Sequence, residues 1–157
     1  MAYVRRRTGV TALAREALRS GSIAAVAMIP FGLLFTGLGL RVNEYGPRVI
    51  RAAFGDLPRA AQLVLLLAQH FLIAWLASLP LLGVLLALRG RTARLAAGAT
   101  YGAGFYVAVN SLALPWVFGM PTPWALGFAA VYPSLVVHLV YGLSIAVTAR
   151  PSAIAEP

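Results

Sequence analysis

The chain of 157 residues has no cysteine, no lysine and only four acidic residues. Lacking cysteine, it has no disulfide, iron–sulfur cluster or thiolate metal site. Lacking lysine, it has no phosphate-cradling loop of the kind that a lysine completes. With so few carboxylates it offers no acid pair with divided roles and no carboxylate relay for protons. Ser134 and His138 share a helix face, but no third group orients them, so nucleophilic catalysis is not expected. The reading is therefore non-enzymatic. All thirteen basic residues are arginine, which points to a GC-rich bacterial genome.

Apolar residues fill most of the chain, at 61% of the total. Four stretches, residues 21–40, 61–88, 95–118 and 123–149, contain no charged residue. Each is long enough to cross a hydrocarbon core of ~30 Å, which needs about 20 residues of helix. The spacing predicts an all-α fold: four transmembrane helices running up, down, up and down in a single integral membrane domain. The net charge of +9 would suit nucleic acid. No soluble surface remains to carry such a partner, and arginines flanking apolar spans set membrane topology instead.

Residues 1–20 form a basic lead-in, with Arg5, Arg6, Arg7, Arg15 and Arg19. Val10, Leu13, Ala14, Ala17 and Leu18 recur at helical spacing, which predicts a short amphipathic helix on an anionic leaflet. A cleaved signal peptide is not expected, because the following apolar run is too long and further spans come after it. In the loop 41–60, Ile50, Ala53, Phe54 and Leu57 define a second interfacial helix. With the N-terminus inside, nine arginines flank the spans on the inner side and four on the outer side. That count predicts a bacterial inner-membrane protein with both termini cytoplasmic.

Gly98 and Gly102 form a small-residue contact face that Tyr106 and Asn110 continue. In the last span Ser134, His138 and Tyr141 lie at i, i+4 and i+7, on one helix face. Gly142 follows His138 by four residues, as Ala74 follows His70. Spans one and two therefore resemble spans three and four, a candidate 2+2 internal repeat.

The run Ala97-Gly98-Ala99-Thr100-Tyr101-Gly102, the proline-rich turn and His138-Leu139-Val140-Tyr141-Gly142 resemble the YagU-like group of small bacterial inner-membrane proteins. The resemblance covers most of spans two to four and implies a four-helix membrane protein, with no chemistry to carry over.

His70 and His138 are the ionisable residues inside the spans, and such residues are functional candidates by default. Three roles are open to them. They can hydrogen-bond neighbouring helices, with Gln69, Asn110, Ser134 and Tyr141 as partners and Tyr106 making a further interhelical contact. They can ligate a haem b or a bacteriochlorophyll-type pigment, with Ala74 and Gly142 leaving room for the macrocycle. They can also line a solute path or relay protons. Trp75 is expected to pack rather than to bind. The leading expectation is a non-catalytic accessory subunit of a larger membrane assembly, respiratory or photosynthetic, with no cofactor. Its partners are the lipid bilayer and other membrane subunits or further copies of itself. The alternatives are a small oligomeric transporter or channel, and a pigment or haem carrier.

Overall fold

The computed structural model describes residues 9–40 and 45–154. Arg5, Arg6 and Arg7 of the lead-in and Arg41 of the loop lie outside the described residues. Within them every regular element is helical. Three helices are long and apolar enough to cross a membrane: α1 (Val10–Gly37), α3 (Arg59–Ala87) and α7 (Phe128–Thr148). The fourth expected span is a continuous helical rod in three pieces. These are α4 (Arg91–Phe105), a π-helical segment (Tyr106–Ala113) and α5 (Leu114–Phe118). Neither α-helical piece of that rod reaches spanning length alone.

Helix α1 is longer than the first apolar stretch. Residues 10–20, expected to form a separate surface helix, are its first turns. Nothing between Leu18 and Ile23 breaks the helix, and Glu16 and Ala17 are buried against the bundle. At about 1.5 Å per residue its 28 residues reach roughly 42 Å. It ends in a Schellman motif. Gly39 takes φ +70°, the Gly39 N–H donates to the Thr36 carbonyl at 3.1 Å and the Leu40 N–H to the Phe35 carbonyl at 2.9 Å. The rod's end at Phe118 closes the same way, with Gly119 at φ +59° and the Met120 N–H donating to Pro115 at 2.9 Å.

The loop helix is present as α2 (Tyr45–Phe54), which buries Tyr45 and Ile50 and packs on α3. Phe54, placed on its apolar face from sequence, is exposed. The turn expected over Arg89–Arg94 is shorter, because Arg91 already opens α4. The last stretch is divided by Gly127, at φ +88°, into a single turn, α6 (Pro123–Leu126), and α7. A final turn, α8 (Pro151–Ile154), follows.

The helices do not pack as a closed square. α7 packs along both α1 and α4, and α1 packs along α3, while α3 meets α4 and α7 only sparsely. The order across the bundle is therefore α3, α1, α7, α4. The α4–α7 seam is built on glycine. A Cβ added to Gly98 would fall 2.5 Å from the Gly142 carbonyl oxygen, and one added to Gly102 would strike the His138 carbonyl oxygen. The α1–α3 seam is looser: a Cβ on Gly21 would sit 3.0 Å from the Ala74 carbonyl oxygen. Close backbone approach of this kind replaces the hydrophobic drive where lipid, not water, surrounds the helices.

One end of the bundle is tied by charged groups. Arg19 pairs with Glu16 through Nη2 at 2.6 Å and Nε at 3.1 Å, and also donates to the Thr148 carbonyl. Arg94 donates to the Ala149 carbonyl at 2.7 Å, and the Arg150 N–H donates to Glu16 Oε1 at 2.9 Å. Arginines from α1 and α4 thus cap the open carbonyls at the C-terminus of α7. The outward faces of α1, α3 and α7 carry exposed aliphatic residues, among them Leu33, Val64, Leu76 and Val147. A soluble monomer does not expose apolar surface on that scale.

A cavity between α3 and the π segment

His70 and His138 line one cavity. It occupies about 410 Å³ where α3 and the π segment stand apart, with α1 and α7 behind it and α2 beside it. Volumes of this size are typical of small-molecule sites. The polar part of the lining is Tyr45, Gln69, His70, Asn110, Ser134, His138 and Tyr141; the rest is mainly aliphatic or aromatic, including Met28, Ile29, Leu66, Ile73 and Phe105. Among the described residues no Asp, Glu or Arg lines it.

His138 is held on every side. Its Nδ1 donates to the Ser134 carbonyl at 2.6 Å, one turn back along α7. A carbonyl can only accept, so Nδ1 carries the proton and Nε2 of the uncharged ring is an acceptor. Asn110 Nδ2 faces that Nε2 at 3.4 Å. The Phe105 ring stacks on the imidazole, with centroids 5.8 Å apart, and Tyr106 meets it at 5.7 Å. The π form delivers these contacts: the Leu114 N–H reaches back to the Val109 carbonyl, five residues away. Tyr106 and Asn110 sit in this widened stretch, both buried. π segments are energetically poor, and they recur at functional sites.

His70 is held by α1. Its Nε2 donates to the Ala25 carbonyl at 3.0 Å. Gln69 lies beside it. Its Oε1 is buried and has no hydrogen-bond partner among the described residues. The hydroxyls of Tyr106 and Ser111 are likewise buried without a partner.

The other expected site residues are spread over helix contacts. Tyr141 donates not to a histidine but to the Ala74 carbonyl at 2.7 Å, bridging α7 to α3. Ser134 serves His138 through its backbone carbonyl rather than its hydroxyl. Trp75 donates to Ser22 Oγ at 2.9 Å, a contact between α3 and α1. Two contributors escaped the sequence reading. Tyr101 donates to the Ala77 carbonyl, three residues before Pro80, and so joins α4 to α3. Phe105, the ring on His138, is one of several apolar residues in that span, and only its position just before the π segment marks it.

The small residues proposed to make room for a macrocycle do not do so. Gly142 is filled by the Gly98 backbone, and Ala74 is covered by Tyr141 and Gly21. His70 also commits Nε2, the less hindered nitrogen, as a donor. His138 donates from Nδ1 and turns Nε2 toward Asn110. Among the described residues no group of three His, Cys, Asp or Glu side chains could hold a metal ion.

No protein-family model, curated protein or solved structure matches the chain.

Proposed function

We propose that this is a non-catalytic membrane protein of the bacterial inner membrane that holds a small molecule in the cavity lined by His70 and His138. The rod α4–α5 is then the fourth crossing, and both termini lie on the cytoplasmic side. One observation carries the reading: the histidine-bearing helices, far apart in sequence, converge on a single ligand-sized space. The arginine count favours the stated orientation, because the Arg19, Arg94 and Arg150 end is the one richer in basic residues. The cavity is a binding site rather than a channel in this reading, since Glu16, Arg19 and Arg94 draw the helices together at that end. The exposed aliphatic faces then meet lipid or the other subunits of an assembly in which the protein is an accessory. The likeness to YagU-like proteins rests on short motifs and adds no function to these residues.

Gly32 supplies the test. It lines the cavity, and a Cβ there would meet nothing within 4 Å. Gly32→Trp should therefore fill the space without disturbing a helix seam. Protein purified from native membranes should release a small molecule on solvent extraction, found by mass spectrometry in near-equal amount to the chain. Gly32→Trp should lose it. Extracts that are identical for the two proteins would defeat the proposal.

A further inference from the structure

The tied end of the bundle carries more arginine than the chain can neutralise. Arg15, Arg89, Arg91 and Arg150 are exposed there, while Arg19 and Arg94 reach the carbonyls of Thr148 and Ala149. Glu16 is the one described carboxylate at this end. It is buried, and both of its oxygens are taken: Oε2 by Arg19 Nε, Oε1 by Arg19 Nη2 and the Arg150 N–H. The other described carboxylate, Asp56, follows α2 and pairs with Arg51 at 3.3 Å. Apart from Arg19, the guanidinium groups of the tied end therefore have no carboxylate among the described residues. Residues 1–8 and 155–157 add Arg5, Arg6 and Arg7 against one further acid, Glu156, so they cannot reverse the sign.

Three of the exposed arginines follow the packing of the helices. Arg150 is central. Its N–H meets Glu16, the neighbour of Arg15 in sequence, and Ala149 before it receives Arg94, one turn after Arg91. Arg15 on α1 and Arg91 on α4 thus flank the end of α7, as α1 and α4 flank α7 itself.

Apolar surface begins directly beside this charge. Leu18 stands one helical turn after Arg15, and Val147 lies in the last turn of α7 before Arg150; both are exposed. Guanidinium groups suit phosphate oxygens, which they can meet through paired N–H donors. A soluble polyanion would use the arginines and gain nothing from Leu18 and Val147. A phosphate joined to hydrocarbon chains uses both. Basic clusters at the ends of membrane helices recognise anionic headgroups in this way.

We infer that the tied end binds an anionic phospholipid, its headgroup phosphate held at Arg150 with Arg15 and Arg91 to either side and its acyl chains lying along the exposed aliphatic residues of α1 and α7. The binding is non-covalent and independent of the cavity. It needs only that the apolar helices stand in a bilayer.

The test mixes the full chain in mild detergent with equal amounts of dioleoyl phosphatidylglycerol and dioleoyl phosphatidylcholine. The two lipids share acyl chains and a phosphate and differ in net charge. Native mass spectrometry counts the lipid retained. Phosphatidylglycerol should exceed phosphatidylcholine at least about tenfold, since each arginine near an anionic surface is worth about fivefold in affinity. The side chains of Arg15, Arg91 and Arg150 make no hydrogen bond or ion pair among the described residues. Arg15→Gln, Arg91→Gln and Arg150→Gln together should therefore leave the thermal melt unchanged and remove most of the excess, and each alone should remove part of it. Arg48→Gln, Arg51→Gln and Arg59→Gln together take as many charges from the opposite end and should leave the excess in place. Equal retention of the two lipids by the unaltered chain would leave the basic end to a soluble polyanion and overturn the proposal. So would an excess that survives the first set of substitutions, or one that the second set removes equally. Loss of the excess to competing inorganic phosphate would assign the site to free phosphate and overturn the lipid.

Discussion

Gly98 and Gly142 lie back to back, each standing in the space that a side chain on the other would need. A Cβ on Gly142 would strike the Gly98 carbonyl oxygen, and one on Gly98 would fall 2.7 Å from the Ala146 methyl group as well as on Gly142. Both conflicts involve backbone, which cannot step aside as the end of a flexible side chain can.

Gly142→Ala should therefore push α4 away from α7. Overpacking of this kind costs about 1–3 kcal/mol, and the value here should lie at the upper end because the neighbour is main chain. Gly104→Ala is the control, since a methyl group there meets nothing within 4 Å. Thermal melts in mild detergent should show a clear drop for Gly142→Ala and none for Gly104→Ala. Equal melting temperatures would mean that the seam is not as close as described.

Asn110 and His138 meet across the same seam, further along. Asn110→Leu should remove one interhelical hydrogen bond and cost about 0.6–2 kcal/mol, the range for such contacts in membranes. A double-mutant cycle with His138→Leu should show the losses to be less than additive, because both substitutions delete one contact. Strict additivity would separate the two residues.

At the charged end, Glu16 receives Arg19 and the Arg150 N–H together. Its side chain is 6% exposed and that of Arg19 is 31% exposed. Glu16→Ala should cost about 1–3 kcal/mol, between the limits for surface and buried pairs. The loss should be local. Amide hydrogen exchange at Arg150 and in α8 should accelerate, while exchange in the Gly98–Gly142 region stays slow. Glu16→Gln, which keeps an oxygen for the Arg150 N–H, should fall between. Unchanged exchange at Arg150 in Glu16→Ala would remove Glu16 as the tie.

Much of the helical layout was legible because lipid-compatible helices write themselves as long runs without charge, and Gly, Pro and Trp mark their ends. The Gly98–Gly102 pattern marked a candidate packing face, since the absence of a side chain is visible in sequence. The π segment was not legible. Tyr106 and Asn110 follow Gly102 at ordinary α spacing, and their partners, His138 and Trp124, come from distant parts of the chain. Nor could the sequence say which carbonyls the side chains would choose. Tyr141 finds Ala74 and His70 finds Ala25, and every residue carries a carbonyl.

By itself, then, the sequence determined that the chain is helical, that it is apolar enough for a membrane, and that its few buried polar groups must find partners in other helices. Period and composition suffice for that, because they act within one helix. The tertiary structure decided that α3 and the π segment stand apart, and that the two histidines share the space between them. That outcome depends on which helix faces approach most closely: the backbone-to-backbone contact of Gly98 with Gly142 holds α4 on α7, whereas α4 reaches α3 through the longer Tyr101 side chain.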